Sequence, residues 1–194
     1  MMLELHNVCI GERLKGLSLT VDGGRPGCIT GGQGVGKTTL LRALLGMLPV
    51  DEGHISIDGE LLTPLSAAYF RRYIAYVPQH LEVMEDYDTP AALARLLTGL
   101  KVNKAVSGKT ATDNAQKERQ DTRRWQELSA DERYLLLLRH ALLLGKPLLL
   151  VDEPPQGISN DTRDEAATLL TEASRHGTAV LCVNIPITQN LLRL

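Results

Sequence analysis

Gly31–Gly32–Gln33–Gly34–Val35–Gly36–Lys37–Thr38 is the stretch on which the reading of this chain turns. An apolar run at residues 26–30 precedes it and reads as a short strand. A helical stripe at residues 39–48 follows, with Leu40, Leu41, Leu44, Leu45 and Leu48 on one face, and Pro49 ends it. A strand, a glycine loop and a helix in that order make the phosphate cradle known as the Walker A motif. Glycines let successive backbone N–H groups curl around phosphate oxygens with no Cβ in the way. The helix start adds its positive dipole end. Lys37 supplies a cation for the β- and γ-phosphates, and the Thr38 hydroxyl is placed to ligate Mg²⁺. The expected ligand is MgATP, contacted by Gly31, Gly32, Gln33, Gly34, Val35, Gly36, Lys37, Thr38 and Thr39.

A second stretch complements the first. Leu148–Leu149–Leu150–Val151–Asp152–Glu153 is an apolar strand that ends in two acids. In an open α/β sheet, ligands bind beyond the C-terminal ends of the strands. Asp152 is placed to hold Mg²⁺, directly or through water. Glu153 is placed to polarise an attacking water.

The remaining pattern sets the fold class. Residues 3–10 and 17–21 alternate apolar and polar around a turn at Gly11–Glu12–Arg13, which predicts an antiparallel arm. Residues 54–57 and 73–77 read as strands closed by Asp58–Gly59 and by Pro78. Residues 89–100 read as a helix. Residues 101–124 are polar and without apolar period, and read as a surface loop or frayed helix. Residues 130–144 form a strong helical pattern with Ser129 near the N-cap. The run 147–151 is continuously apolar, so a central parallel strand is expected. Residues 162–176 read as an amphipathic helix capped by Gly177, and 179–183 as a buried strand. Alternating strands and helices predict an α/β fold in one domain, residues 1–194.

Composition narrows the class. The chain has 194 residues with one Phe, one Trp and five Tyr, so its core must be mostly aliphatic. A formal net charge of -2 argues against a general nucleic-acid binder, and no nucleic-acid partner is expected. No apolar run reaches the roughly 18 residues that span a bilayer. The first residues lack a basic leader ahead of an apolar core. A cytoplasmic protein that meets a membrane only through another subunit is the expectation. Cys9, Cys28 and Cys182 are far apart and fall in strand-like segments, so buried reduced thiols are expected rather than a metal site.

In this order the motifs resemble the ATP-binding cassette (ABC) family over nearly the whole chain. Val77–Pro78–Gln79 looks like its Q-loop, led in by Asp58–Gly59 and by Phe70–Arg71–Arg72–Tyr73–Ile74–Ala75–Tyr76. Leu128–Ser129–Ala130–Asp131–Glu132–Arg133 aligns with its LSGGQ signature, and Asp152–Glu153–Pro154 with Walker B running into the D-loop. The resemblance implies a P-loop NTPase core of ABC type, an antiparallel β arm, and a helical subdomain near residues 80–142. It implies that Glu153 is the catalytic glutamate and that Ser129 meets nucleotide. Gln79 would sense Mg²⁺ and the γ-phosphate and couple to a membrane partner. The implied assembly is a homodimer or a heterodimer with another ABC ATPase subunit, bound to a transmembrane permease subunit.

Several positions leave the family pattern. Ala130 and Asp131 replace the signature glycines, and Asp131 puts a carboxylate near a polyanion unless it turns away. Ser159 stands at the D-loop aspartate position. Asn184 stands at the switch histidine; it can donate to a γ-phosphate but carries no titratable ring. Ile10 is the nearest equivalent of the aromatic that stacks on adenine. The strands that usually follow the switch position are expected to be short or missing. These departures leave two alternatives to a transporter ATPase: a regulatory, weakly hydrolysing cassette that pairs with a better-equipped one, or a soluble ABC ATPase outside transport.

Overall fold

A computed structural model describes residues 1–80, 125–187 and 191–194. The described residues build two sheets. The first is antiparallel and runs in the order β2-β1-β4-β5, from β1 (Leu3–Ile10), β2 (Leu14–Val21), β4 (Glu52–Ile57) and β5 (Glu60–Leu61). The second is parallel and runs β6-β7-β8-β3-β9, from β3 (Gly27–Thr30), β6 (Ile74–Val77), β7 (Leu148–Val151), β8 (Ala179–Val183) and β9 (Leu191–Arg193).

The side chains of the parallel sheet alternate between two apolar cores. Leu148 and Leu150 of β7 join Ala179, Leu181 and Val183 of β8 on the face that also packs α1 (Lys37–Leu44) and the antiparallel sheet. Leu149, Val151, Val180 and Cys182 point the other way, against α3 (Ala130–Leu143) and α4 (Asn160–Arg175). Burial on both faces is why β7 reads as an unbroken apolar run. Each fully buried Leu or Val contributes about 1.5–3 kcal/mol relative to exposure. The core is aliphatic as expected, with Trp125 and Tyr134 as its largest buried rings. All three cysteines are buried and free.

Most boundaries expected from sequence hold to within a few residues, and the differences have local causes. The first helix begins at Lys37 rather than 39 and ends at Leu44 rather than 48. Gly46 (φ +65°) stops it: Gly46 N–H donates to Ala43 O and Met47 N–H to Arg42 O, which closes the last turn before Pro49 is reached. α4 starts at Asn160, two residues early, because Ser159 caps it by accepting from Thr162 N at 3.2 Å. β2 begins at Leu14, so the arm is longer than its alternation suggested. Among the described residues, strand β5 and the short helix α2 (Ala67–Phe70) were not foreseen, while β9, which pairs with β3, is only three residues long, as expected of the strands after Asn184. The helix expected at 89–100, the polar segment 101–124 and most of the expected subdomain 80–142 lie outside the described residues.

A Cβ at position 46 would stand 2.3 Å from the Ala67 Cβ, and the backbone there is left-handed. Gly46→Ala therefore adds backbone strain to overpacking and lowers stability by about 2–5 kcal/mol in urea unfolding. A midpoint equal to wild type contradicts this account of where α1 ends.

Candidate functional site

The C-terminal ends of β3, β7 and β8 lie side by side, with β8 in the middle. In register, Ile29 pairs with Val183, and Val151 with Cys182. The residues just beyond these pairs are therefore neighbours: the glycine loop after β3, Asp152–Glu153 after β7, and Asn184 after β8.

The glycine loop delivers Lys37 into the first turn of α1. Gly36, the N-cap of α1, has φ +108°, and a Cβ there would meet Leu14 side-chain atoms at 3.0 Å. Only glycine makes this turn against the arm without strain. Lys37 is buried, and its Nζ donates to Gly31 O at 2.9 Å and to Gly32 O at 2.6 Å. The same ammonium lies 3.5 Å from Glu153 Oε2. From the other side, Asn184 Nδ2 donates to Glu153 Oε1 at 3.0 Å. Glu153 is thus held between a cation and an amide, one carboxylate oxygen to each.

Asn184 is also bonded back to the loop. Its Oδ1 accepts from Gly31 N at 3.3 Å, and its Nδ2 donates to Gly31 O at 3.2 Å. It adopts φ +49°, a left-handed conformation that asparagine tolerates better than most residues.

Asp152 is almost fully buried and accepts three hydrogen bonds. Its Oδ1 accepts from Glu153 N at 2.8 Å and from Thr38 Oγ1 at 3.4 Å, and its Oδ2 from Tyr76 OH at 3.3 Å. Burial, then the neighbouring Asp152 charge, pushes the Tyr76 hydroxyl up to about 12, which keeps it a donor. Tyr76 was quoted from sequence only as part of the lead-in to the Q-loop; its contact with Asp152 follows from β6 lying beside β7, which alternation alone does not reveal. The adjacent Thr38 hydroxyl and Asp152 carboxylate are hard oxygen donors, the set that Mg²⁺ takes in nucleotide sites.

Not every expected residue joins this cluster. Gln79 follows β6 at the same edge of the sheet, but among the described residues no hydrogen bond links it to Thr38 or Asp152. Ser129 serves as the N-cap of α3, in a capping box: it accepts from Glu132 N at 3.2 Å, and its own N–H donates to Glu132 Oε2 at 2.9 Å. Asp131 turns toward Ser159, which donates to Asp131 Oδ1 from its backbone N at 2.8 Å and from its hydroxyl at 3.0 Å.

Two cavities flank the cluster. One, of about 350 Å³, is lined by Ile10, Gly11, Glu12, Arg13, Leu14, Gly36 and Thr39. It lies where the arm meets the glycine loop, and Arg13 fastens that junction by donating to Gly34 O at 2.8 Å. The other, of about 490 Å³, lies past Asn184 and takes in Thr30, Asn160 and Arg163.

Asn184 carries a sharp prediction. Asn184→Gly loses the side-chain hydrogen bonds but suits the left-handed backbone, whereas Asn184→Ala also bears strain there. Both are destabilised, and the alanine variant by about 1 kcal/mol more than the glycine one. Equal unfolding midpoints would show that the backbone at this position carries no strain.

The ABC transporter family model matches residues 14–156. The chain is 32% identical over 175 residues to a zinc import ATP-binding protein, ZnuC, of Pseudomonas fluorescens; the match covers 88% of this chain and 61% of that protein. The chain thus spans less than two thirds of that relative's length. Its fold is similar to that of a putative ABC transporter ATP-binding protein from Pyrococcus furiosus, with TM-score 0.80 and 20% identity over 100% of this chain and 98% of the other. It is also similar to a dimeric ATP-binding cassette bound to ADP and Pi, with TM-score 0.73 and 22% identity, covering 99% of this chain and 94% of that one. With a P-loop strand order, a glycine loop that delivers Lys37 to Glu153, and a family match across most of its length, the chain belongs to the ABC transporter family.

Proposed function

We propose that this chain is the ATP-binding and ATP-hydrolysing subunit of an ABC transporter, and that it energises a separate membrane permease. The observation that carries the reading is Glu153, held at the end of β7 between the Lys37 ammonium and the Asn184 amide. Phosphate oxygens compete with Gly31 O and Glu153 for the Lys37 ammonium, since a polyphosphate is the stronger anion. The backbone N–H groups of Gly32 to Thr38 then line the phosphate chain, while Ile10 and the arm offer an apolar wall for the base. Thr38 and Asp152 hold Mg²⁺, which supplies positive charge to the phosphates when bound. Glu153, released from Lys37 and still oriented by Asn184, accepts a proton from the attacking water. Gln79 completes this set from the β6 edge.

Transport is supported by the family and by the name of the relative. No helix among the described residues is long and apolar enough to cross a membrane, so the reading assigns that task to the permease. Apolar side chains left exposed at Met47, Leu48, Leu61, Leu65 and Tyr69 lie on the loop after α1, on β5, and on and just before α2, and suit a protein partner. Two cassettes, identical or related, close head to tail and bring Ser129 of one toward the nucleotide of the other; the likeness to a dimeric cassette supports this. Asn184 favours a second reading, slow turnover alongside a better-equipped cassette, because it orients Glu153 without a titratable ring.

Titration of the full chain with a fluorescent ATP analogue and Mg²⁺, followed by steady-state turnover, tests the reading. Lys37→Ala weakens nucleotide binding by about 10-fold or more, whereas Glu153→Gln keeps binding and loses about 100-fold in turnover. No ATP binding by the wild type overturns the proposal as a whole. Turnover unchanged in Glu153→Gln removes Glu153 from its role, and a wild-type rate of about 1 per second or faster removes the slow reading. Recovery of a polytopic permease with the full chain from solubilised membranes supports the transport half; recovery of the active chain alone counts against it.

A further inference from the structure

The first turns of α3 and α4 are joined by side chains at two positions where the chain departs from its family. Asp131, in the first turn of α3, accepts both the backbone N–H and the hydroxyl of Ser159, the N-cap of α4. Ser159 Oγ in turn accepts from Thr162 N at 3.2 Å and lies 3.0 Å from Thr162 Oγ1. The hydroxyl has one proton, and a carboxylate is the stronger acceptor for it. Further along the same pair of helices, Arg139 donates to Glu165 at 2.5 Å. Among the described residues these contacts tie the helices at two levels, the upper one at their N-terminal ends. The Asp131 carboxylate also stands at the N-terminal ends of two helix dipoles, which favours its charge. The nearby Thr162 hydroxyl, and then the hydrogen bonds from Ser159, hold its carboxyl below the usual carboxylate range.

What the tie joins matters more than its strength. On one side is Ser129, whose capping box fixes the start of α3. On the other is the segment from Glu153 to Ser159, whose far end is Glu153 itself, anchored to Lys37 and Asn184. We infer that Asp131 is a positioning residue: through Ser159 it makes the Ser129 turn and the segment following Glu153 move as one body. Where the family resemblance expects an acid, position 159 carries a hydroxyl, and it donates to the acid at position 131. Asp131 thereby turns its charge onto α4 rather than toward a polyphosphate brought up by a second subunit.

This inference rests on the ATPase reading above for its functional part only; the tie itself is a property of the folded chain. The test is a double-mutant cycle in the full chain: Asp131→Ala, Ser159→Ala and the double variant, with Asp131→Asn as the conservative control. Urea midpoints and steady-state kcat and KM for ATP are measured on each. The expected result is that each single alanine variant lowers kcat about 5- to 10-fold with KM changed less than about 2-fold, and that the double variant is no slower than the singles. Asp131→Asn keeps an acceptor for Ser159 and restores kcat to within about 2-fold of wild type. Three results overturn the proposal: a higher kcat in Asp131→Ala, which marks the carboxylate as a simple source of repulsion; unchanged kcat with altered midpoints, which marks a purely structural cap; or additive effects of the two alanines. A wild-type chain that neither binds nor turns over ATP sinks the ATPase reading instead. In that event additive urea midpoints overturn the tie and non-additive ones uphold it.

Discussion

The placement of β8 between β7 and β3 is the constraint on which the rest of the site depends. Parallel pairing puts all three C-terminal ends on one edge, and the register pairs Val151 with Cys182 and Ile29 with Val183. The next residue of β8 must then fall between the glycine loop and the acids. A slip of one residue would exchange the two faces of β8, turning Val180 and Cys182 toward α1 and Leu181 and Val183 toward α3 and α4. Register is thus enforced by packing on both faces, and the contact of Asn184 with Glu153 inherits that rigidity.

Charge within this edge is arranged so that each buried ion has partners. Lys37 and Asp152 are both nearly inaccessible to water, and isolated burial of either would be prohibitive. Lys37 is compensated by loop carbonyls and by half-exposed Glu153. Asp152 is compensated by three neutral donors: Thr38 on α1, Tyr76 on β6, and the backbone of Glu153 in the loop after β7. The two adjacent acids therefore differ in kind. Asp152 is fixed by three donors and keeps an acceptor site free, which suits a group that holds a cation in place. Glu153 keeps a contact that a competing anion can displace, which suits a group that must act.

Motifs with a chemical reason for their spacing were legible in the sequence. The glycine loop between β3 and α1, the acid pair at the end of β7 and Ser129 at the N-cap of α3 fall where they were read, because each reflects local backbone demands that one segment satisfies alone. Strands of the parallel sheet were legible because burial on both faces leaves unbroken apolar runs. What escaped was of longer range. Tyr76 reaches Asp152 only because β6 lies beside β7, 70 or so residues apart in sequence. β5 spans Glu60–Leu61 and is too short to show a period. The early end of α1 is decided by Gly46 packing against Ala67, a contact between elements rather than a property of either. The Asp131–Ser159 pair escaped for the same reason: each residue was noticed as a departure, but their contact needs the crossing of two helices.

Asn184 shows why a departure from a family pattern need not be a loss. A neutral imidazole offers one donor and one acceptor on opposite sides of its ring, and a charged one offers no acceptor at all. The asparagine amide offers an acceptor and two donor hydrogens on a single planar head. Its orientation is set by its neighbours: Gly31 N–H requires an oxygen, while Gly31 O and the Glu153 carboxylate both require N–H. An imidazole in the same place would meet fewer of these demands at once. Position 184 also has φ +49°, where asparagine sits at less cost than most side chains. In place of a titratable ring, the asparagine forms a three-way brace between the glycine loop and Glu153. That exchange leaves the orientation of Glu153 independent of any titrating group at position 184.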